Sequence, residues 1–232
     1  MTAPPAASHA SLSGFWLRLQ RERALLALFD LGRRKGYGLR AAKLYAFGVF
    51  AGYAIAISLT RDSARSTTIH EFIHAALVSL SWVVGALAAL GSAQALAQQS
   101  ERDALSALAV QRGFQRSALH RARIGAATVR VARLVGLPAL LLVVVGVARG
   151  APLSWALLVA PALLVYASVL GFALALLAHF SAELSPRHPR LLLAVLVLGP
   201  LLLSLAYPAV PNFPRFFSGL LSRLLALGAA HS

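Results

Sequence analysis

PLSWALLVAPALLVYASVLGFALALLAHFSA, residues 152–182, decides the fold class. It holds no Asp, Glu, Lys or Arg, and its one imidazole, His179, stands near the end. Crossing the hydrocarbon of a bilayer takes about 20 helical residues. A helix apolar on every face belongs in a protein core or a membrane. Four further stretches repeat the pattern: 44–60, 72–100 with His74, 124–148 and 191–210. The third carries Arg130 and Arg133 in its first part, long enough to snorkel to headgroups. A sixth, 213–230, gathers Arg215, Ser218, Ser222 and Arg223 toward one side. We read it as a short span rather than a helix lying in the interface. Pro138, Pro161 and Pro200 mark kink points. Gly48 and Gly52 form a small-xxx-small pair that predicts close packing of the first span inside the chain.

Composition excludes the alternatives. Apolar residues make up 59%, charged residues 12%, and the mean hydropathy is +0.73. A soluble domain covers itself with about 25% charged residues, and a disordered chain needs low hydrophobicity. The expected fold is therefore all-α, a polytopic membrane protein with about six transmembrane helices. There is no cysteine, which excludes disulfides, thiolate catalysis and Cys-ligated zinc.

The net charge is +15, from 22 Lys and Arg against 7 Asp and Glu. In a soluble protein this would suggest nucleic acid. Here the basic residues sit between apolar runs, so the charge reports topology and no nucleic-acid partner is expected. Seventeen of the 22 lie before the first span, in the 100–133 segment that links span two to span three and includes the basic start of the latter, or between spans four and five. By the positive-inside rule those segments, the N-terminus among them, are cytoplasmic. The Arg-, Ala- and Leu-rich bias suits a GC-rich bacterium, hence the inner membrane.

Residues 1–12 read as a disordered tail without the features of a secretory signal. Residues 13–43 form a cytoplasmic unit. Its amphipathic helix sets Phe15, Trp16, Leu19, Leu26 and Phe29 among Arg18, Arg21, Arg23 and Glu22, and a basic linker follows. Such a helix lies in the interface. Residues 44–230 make one transmembrane domain. A second amphipathic segment opens at Ser100 and Asp103, an N-cap signal. It carries Leu105, Leu108 and Ala109 on one stripe and stops at Gly113. Arg116, Arg121 and Arg123 then lead into span three.

His70-Glu71-Phe72-Ile73-His74 matches H-E-x-x-H, in which two imidazoles one turn apart hold zinc and the Glu serves as base. A third ligand is required. His179 and Glu183 share a helical face, but the topology sets them at the opposite membrane surface, with His188, Glu101 and Asp103. Asp62 alone is on the side of His70. The simpler reading makes these polar residues at the outer end of span two, with Glu71 favoured by the helix dipole. No P-loop and no Gly-x-Ser-x-Gly elbow occurs, so any ATP is bound by a partner. No span carries a mid-membrane acid, as an ion-coupled carrier usually would.

The layout resembles the membrane (permease) subunit of type-2 ABC transporters. The basic amphipathic helix before the first span, about six spans, and the cytoplasmic helix between spans two and three carry the likeness. The most specific piece is Glu101-Arg102-Asp103 through Leu105, Leu108, Arg112 and Gly113, followed by Arg116 and residues 119–123. The resemblance implies that Glu101, Arg102, Asp103, Leu105, Leu108, Arg112 and Gly113 contact an ABC ATPase subunit, within a coupling segment at 100–123. It implies no catalytic residue and no cofactor in this chain, with ATP-Mg held by the partner. It also implies a second permease copy in a homo- or heterodimer. Residues 207–214 are shorter than the re-entrant region of many members, and the His70–His74 motif is outside the family pattern. Two other readings stand beside this one: an intramembrane zinc metalloprotease using His70, Glu71 and His74, and a non-catalytic membrane scaffold.

Overall fold

The computed structural model describes residues 37–59, 65–97, 107, 110–111, 116–207, 216–217, 219–220 and 222–223. Six α-helices order the described chain: α1 (Tyr37–Leu59), α2 (Arg65–Ser79), α3 (Gly85–Ala97), α4 (Arg116–Ala148), α5 (Leu153–Leu184) and α6 (Pro189–Ala206). A π-helical turn, Leu80–Val84, joins α2 to α3, so residues 65–97 run as one rod. The 1–12 tail, the 13–31 helix and the seven residues expected to meet an ATPase lie outside the described residues.

Four of these helical segments are long and apolar enough to cross a membrane: Leu39–Leu59, Glu71–Ala93, His120–Ala148 and Leu153–Leu184. The fifth expected span falls on α6, whose apolar part, Pro189–Pro200, is shorter. α6 ends where Tyr207 turns extended (φ −126°, ψ 92°). Pro208 follows, and a residue before proline is driven out of the α region. Of the expected sixth span only 216–217, 219–220 and 222–223 are described, all helical.

α4 starts two turns earlier than the sequence reading placed span three. Residues 116–123, expected as part of the coupling segment, are helical and continuous with the span. No proline interrupts them, and a helix already nucleated propagates cheaply into its flank.

The α4–α5 hairpin turns on one glycine. Gly150 has φ +102°, a region that costs an L-residue with a side chain about 1–2 kcal/mol. Its N–H bonds the Val147 carbonyl at 3.0 Å, and the Ala151 N–H bonds that of Gly146 at 3.0 Å. These are the paired bonds of a Schellman cap. Pro152 then precedes the first turn of α5, its φ of −60° suiting that position.

α5 is the centre of the bundle and packs on α3, α4 and α6. Trp155, Val159, Leu163, Tyr166, Leu170, Leu174 and Ala178 form its buried stripe. The opposite face exposes Leu157, Leu164, Val165, Val169 and Phe172. Apolar outside as well as inside, such a surface suits hydrocarbon rather than water.

α4 comes very close to α5 at one glycine. A Cβ on Gly171 would stand 2.7 Å from the Thr128 carbonyl oxygen. A second close approach sets Gly146 of α4 against Ile69 and Ile73 of α2.

Two expectations about single residues are corrected. Gly48 and Gly52 are exposed, and nothing stands within 4 Å of a Cβ built on either. α1 packs inward through Ala42, Ala46 and Ile57 instead. Arg130 does not snorkel outward: it is buried, as is Arg123, whereas Arg133 is exposed. Successive residues turn by 100°, so Arg130 and Arg133 diverge enough to face different surroundings.

Candidate functional site

Side-chain contacts fix how the helices are paired. Tyr45 Oη lies 3.0 Å from Ser79 Oγ, and Tyr53 packs edge-on to Phe72, so α1 and α2 are antiparallel. The Arg149 guanidinium donates to the Ser58 carbonyl, while Lys43 and Arg133 line one groove, so α1 and α4 are parallel. Lys43 lies about 22 Å along α1 from Ser58, and Arg133 about 24 Å along α4 from Arg149, at 1.5 Å per residue. Two cations therefore share one depth, above walls of Phe47, Phe50, Leu137, Pro138 and Leu141. With Arg40, Arg121, Arg187 and Arg190 they give the bundle one strongly basic end. The end opposite it, at the α4–α5 turn, holds Arg149.

His74 and Glu71 lie toward that opposite end, because Ile69 and Ile73 pack on Gly146. Glu71 is exposed and His74 half-buried, with its Nε2 3.4 Å from Ser222 Oγ. His70 is helical, and its side chain lies outside the described residues. Among the described side chains, no three-ligand group includes Glu71 or His74. His179 and Glu183 cannot complete one: the path along α5 from Ala151 to His179 is about 42 Å.

Polar residues that the sequence reading passed over meet in the middle of the bundle. Tyr166 Oη donates to Ser81 Oγ at 2.9 Å, and both residues are buried. Ser81 belongs to the π-helical turn. There the Gly85 N–H reaches back to the Leu80 carbonyl, five residues earlier. Such turns are rare and frequent at functional sites. Next to it lies a cavity of about 110 Å³, walled by Trp82, Ala86, Ala89 and Leu90, Leu174 of α5, and Leu193, Ala194, Val197 and Leu198 of α6. Ser81 is its one polar wall residue. Phe217 packs edge to face on Tyr166 (centroids 6.1 Å apart), adding a fourth element to the same centre.

The basic end holds the other cluster. His120 of α4 meets His179 of α5 edge to face, centroids 5.5 Å apart. Glu183 lies one turn beyond His179, and one ligand atom from each of the three falls within 4.8 Å of the others. The sequence shows the His179–Glu183 pairing as an i, i+4 spacing. His120 carries no local signal; only the α4–α5 register delivers it. The chain matches no protein-family model, no curated protein and no solved structure.

Proposed function

We propose that the chain is the permease subunit of an ATP-driven transporter, with a separate ABC ATPase supplying the energy. The observation that supports this best is the centre of the bundle. A π-helical turn, a buried Tyr166–Ser81 hydrogen bond and an apolar cavity coincide where three helices meet. A transport subunit needs no catalytic side chain. It needs helices with two packings and an external bias toward one of them. A π-helical turn beside a void is where repacking costs least, because few contacts have to be broken.

In this reading the basic end faces the cytoplasm of a bacterium, as the positive-inside rule asks of the inner membrane. The N-terminus lies there with the 13–31 helix, as does the 100–113 segment, where Glu101, Arg102, Asp103, Leu105, Leu108, Arg112 and Gly113 meet the ATPase. The exposed strip at Gly48 and Gly52 leaves α1 smooth on its outer face, a surface on which a second copy can pack closely. The sixth span at 213–230 completes the subunit.

The test is purification from native membranes in mild detergent, with mass spectrometry of what accompanies the chain. A stoichiometric P-loop ATPase is expected. A chain that purifies alone, with transport unaffected by deletion of residues 100–113, would sink the proposal.

A further inference from the structure

We infer that His120, His179 and Glu183 form a binding site for a divalent transition-metal ion, zinc by the chemistry of its ligands, joining α4 to α5 at the basic end of the bundle. This inference is independent of the transport reading.

The site is built by packing at some distance from it. Gly171 lets α4 and α5 approach until its Cα faces the Thr128 carbonyl, with no room for a Cβ. In an antiparallel pair, each residue forward on one helix matches one residue back on the other. Eight residues on from Gly171 is His179; eight back from Thr128 is His120. The close contact thus carries its register about 12 Å along the pair and sets the two imidazoles against each other. Their edge-to-face contact at 5.5 Å is the result. Glu183 is added by helical periodicity alone, since i and i+4 share a face.

Two imidazoles and one carboxylate are a ligand set that holds catalytic zinc, leaving a fourth position for water. Ligand atoms around a tetrahedral zinc at 2.0–2.2 Å stand about 3.4 Å apart. The three donors here lie within 4.8 Å of one another. Binding would draw the donors together by at most about 1.4 Å, within the reach of side-chain rotation. Glu183 supplies the negative charge that a dication needs at this basic end of the bundle. His120 and Glu183 are exposed and His179 half-buried, so an ion can reach the site from water. Two of the ligands stand on one rigid helix and the third on its closest neighbour. A bound ion would therefore pin the basic ends of α4 and α5 together, limiting their relative movement.

The test is zinc titration of the purified full-length chain by calorimetry, with His120→Ala, His179→Ala, Glu183→Gln and His74→Ala variants. One zinc per chain is expected. Losing either imidazole should weaken binding by more than the roughly 10- to 100-fold seen when a mere supporting group is removed. His74→Ala should bind as the parent does. No zinc uptake, or uptake lost in His74→Ala and kept in His179→Ala, would overturn the assignment. Should a variant fail to fold, Cu²⁺ bound to the unaltered chain provides a second readout. Its electron paramagnetic resonance should show hyperfine structure from two imidazole nitrogens, and a spectrum without nitrogen coupling would refute the site.

Discussion

Arg149 opens the short 149–152 connection between α4 and α5, yet its guanidinium reaches back to the Ser58 carbonyl, one of the four that α1 leaves without a helical partner. A cation suits that helix end on both hydrogen-bonding and dipole grounds. Arg149→Ala should cost about 1–2 kcal/mol, the roughly 1.5–3 kcal/mol of a charged hydrogen bond reduced because the site is half-exposed. Unfolding in a mild detergent would measure it, and an unchanged midpoint would mean the bond contributes nothing. Gly150→Val places a β-branched residue at φ +102°. It should cost at least about 1–2 kcal/mol, with the loss visible in the same experiment. Tyr166→Phe removes the donor to Ser81. Hydrogen bonds between helices in membranes are worth only about 0.6 kcal/mol on average, with a maximum near 1.7, so a small stability change is expected. A larger effect on transport than on the unfolding midpoint would tie the bond to function.

Between elements, the contact that sets most else is Gly171 against α4. Gly171→Ala puts a Cβ 2.7 Å from a backbone oxygen, which cannot swing aside as a side chain would. The helices must separate, and His120 should part from His179. The absence of native cysteine makes this measurable. A His120→Cys, His179→Cys pair should cross-link readily in the parent and at least several-fold more slowly when Gly171→Ala is added. Equal rates would show that the register is set elsewhere. The H-E-x-x-H spacing illustrates the opposite lesson. A helix can present two correctly spaced groups, yet the fold brings no third described ligand to them. The same i, i+4 geometry at His179 and Glu183 gains its third member from a helix some sixty residues earlier.

At the scale of the molecule, the basic residues of α1, of the first half of α4 and of the α5–α6 connection gather at one end, while Arg149 of the α4–α5 turn and Arg65 at the start of α2 stand at the other. If that end is cytoplasmic, single cysteines at Arg121 and Arg190 should be shielded from an impermeant thiol reagent added outside intact cells. One placed at Arg149 should react. The reverse labelling pattern would invert the topology and remove the 100–113 segment from any cytoplasmic ATPase. Gly52→Leu offers a separate check on a second copy. It fills open space in the single chain, so it should leave folding intact and weaken self-association.

Length, hydropathy and charge were enough to establish that this chain is helical and fit for a bilayer. Those properties follow from the cost of burying or exposing each residue, and that cost is local. The apolar run of 152–182, the basic clusters and the His179–Glu183 face were all legible for this reason. The outward turn of Gly48 and Gly52, the burial of Arg130, the Tyr166–Ser81 pair and the meeting of His120 with His179 were not. When every helix is apolar on all sides, hydropathy no longer says which face turns inward. That choice falls to close packing at a few points, such as Gly171 on Thr128 and Gly146 on Ile69. Only the tertiary structure decides it, because the deciding contacts join residues far apart in the chain.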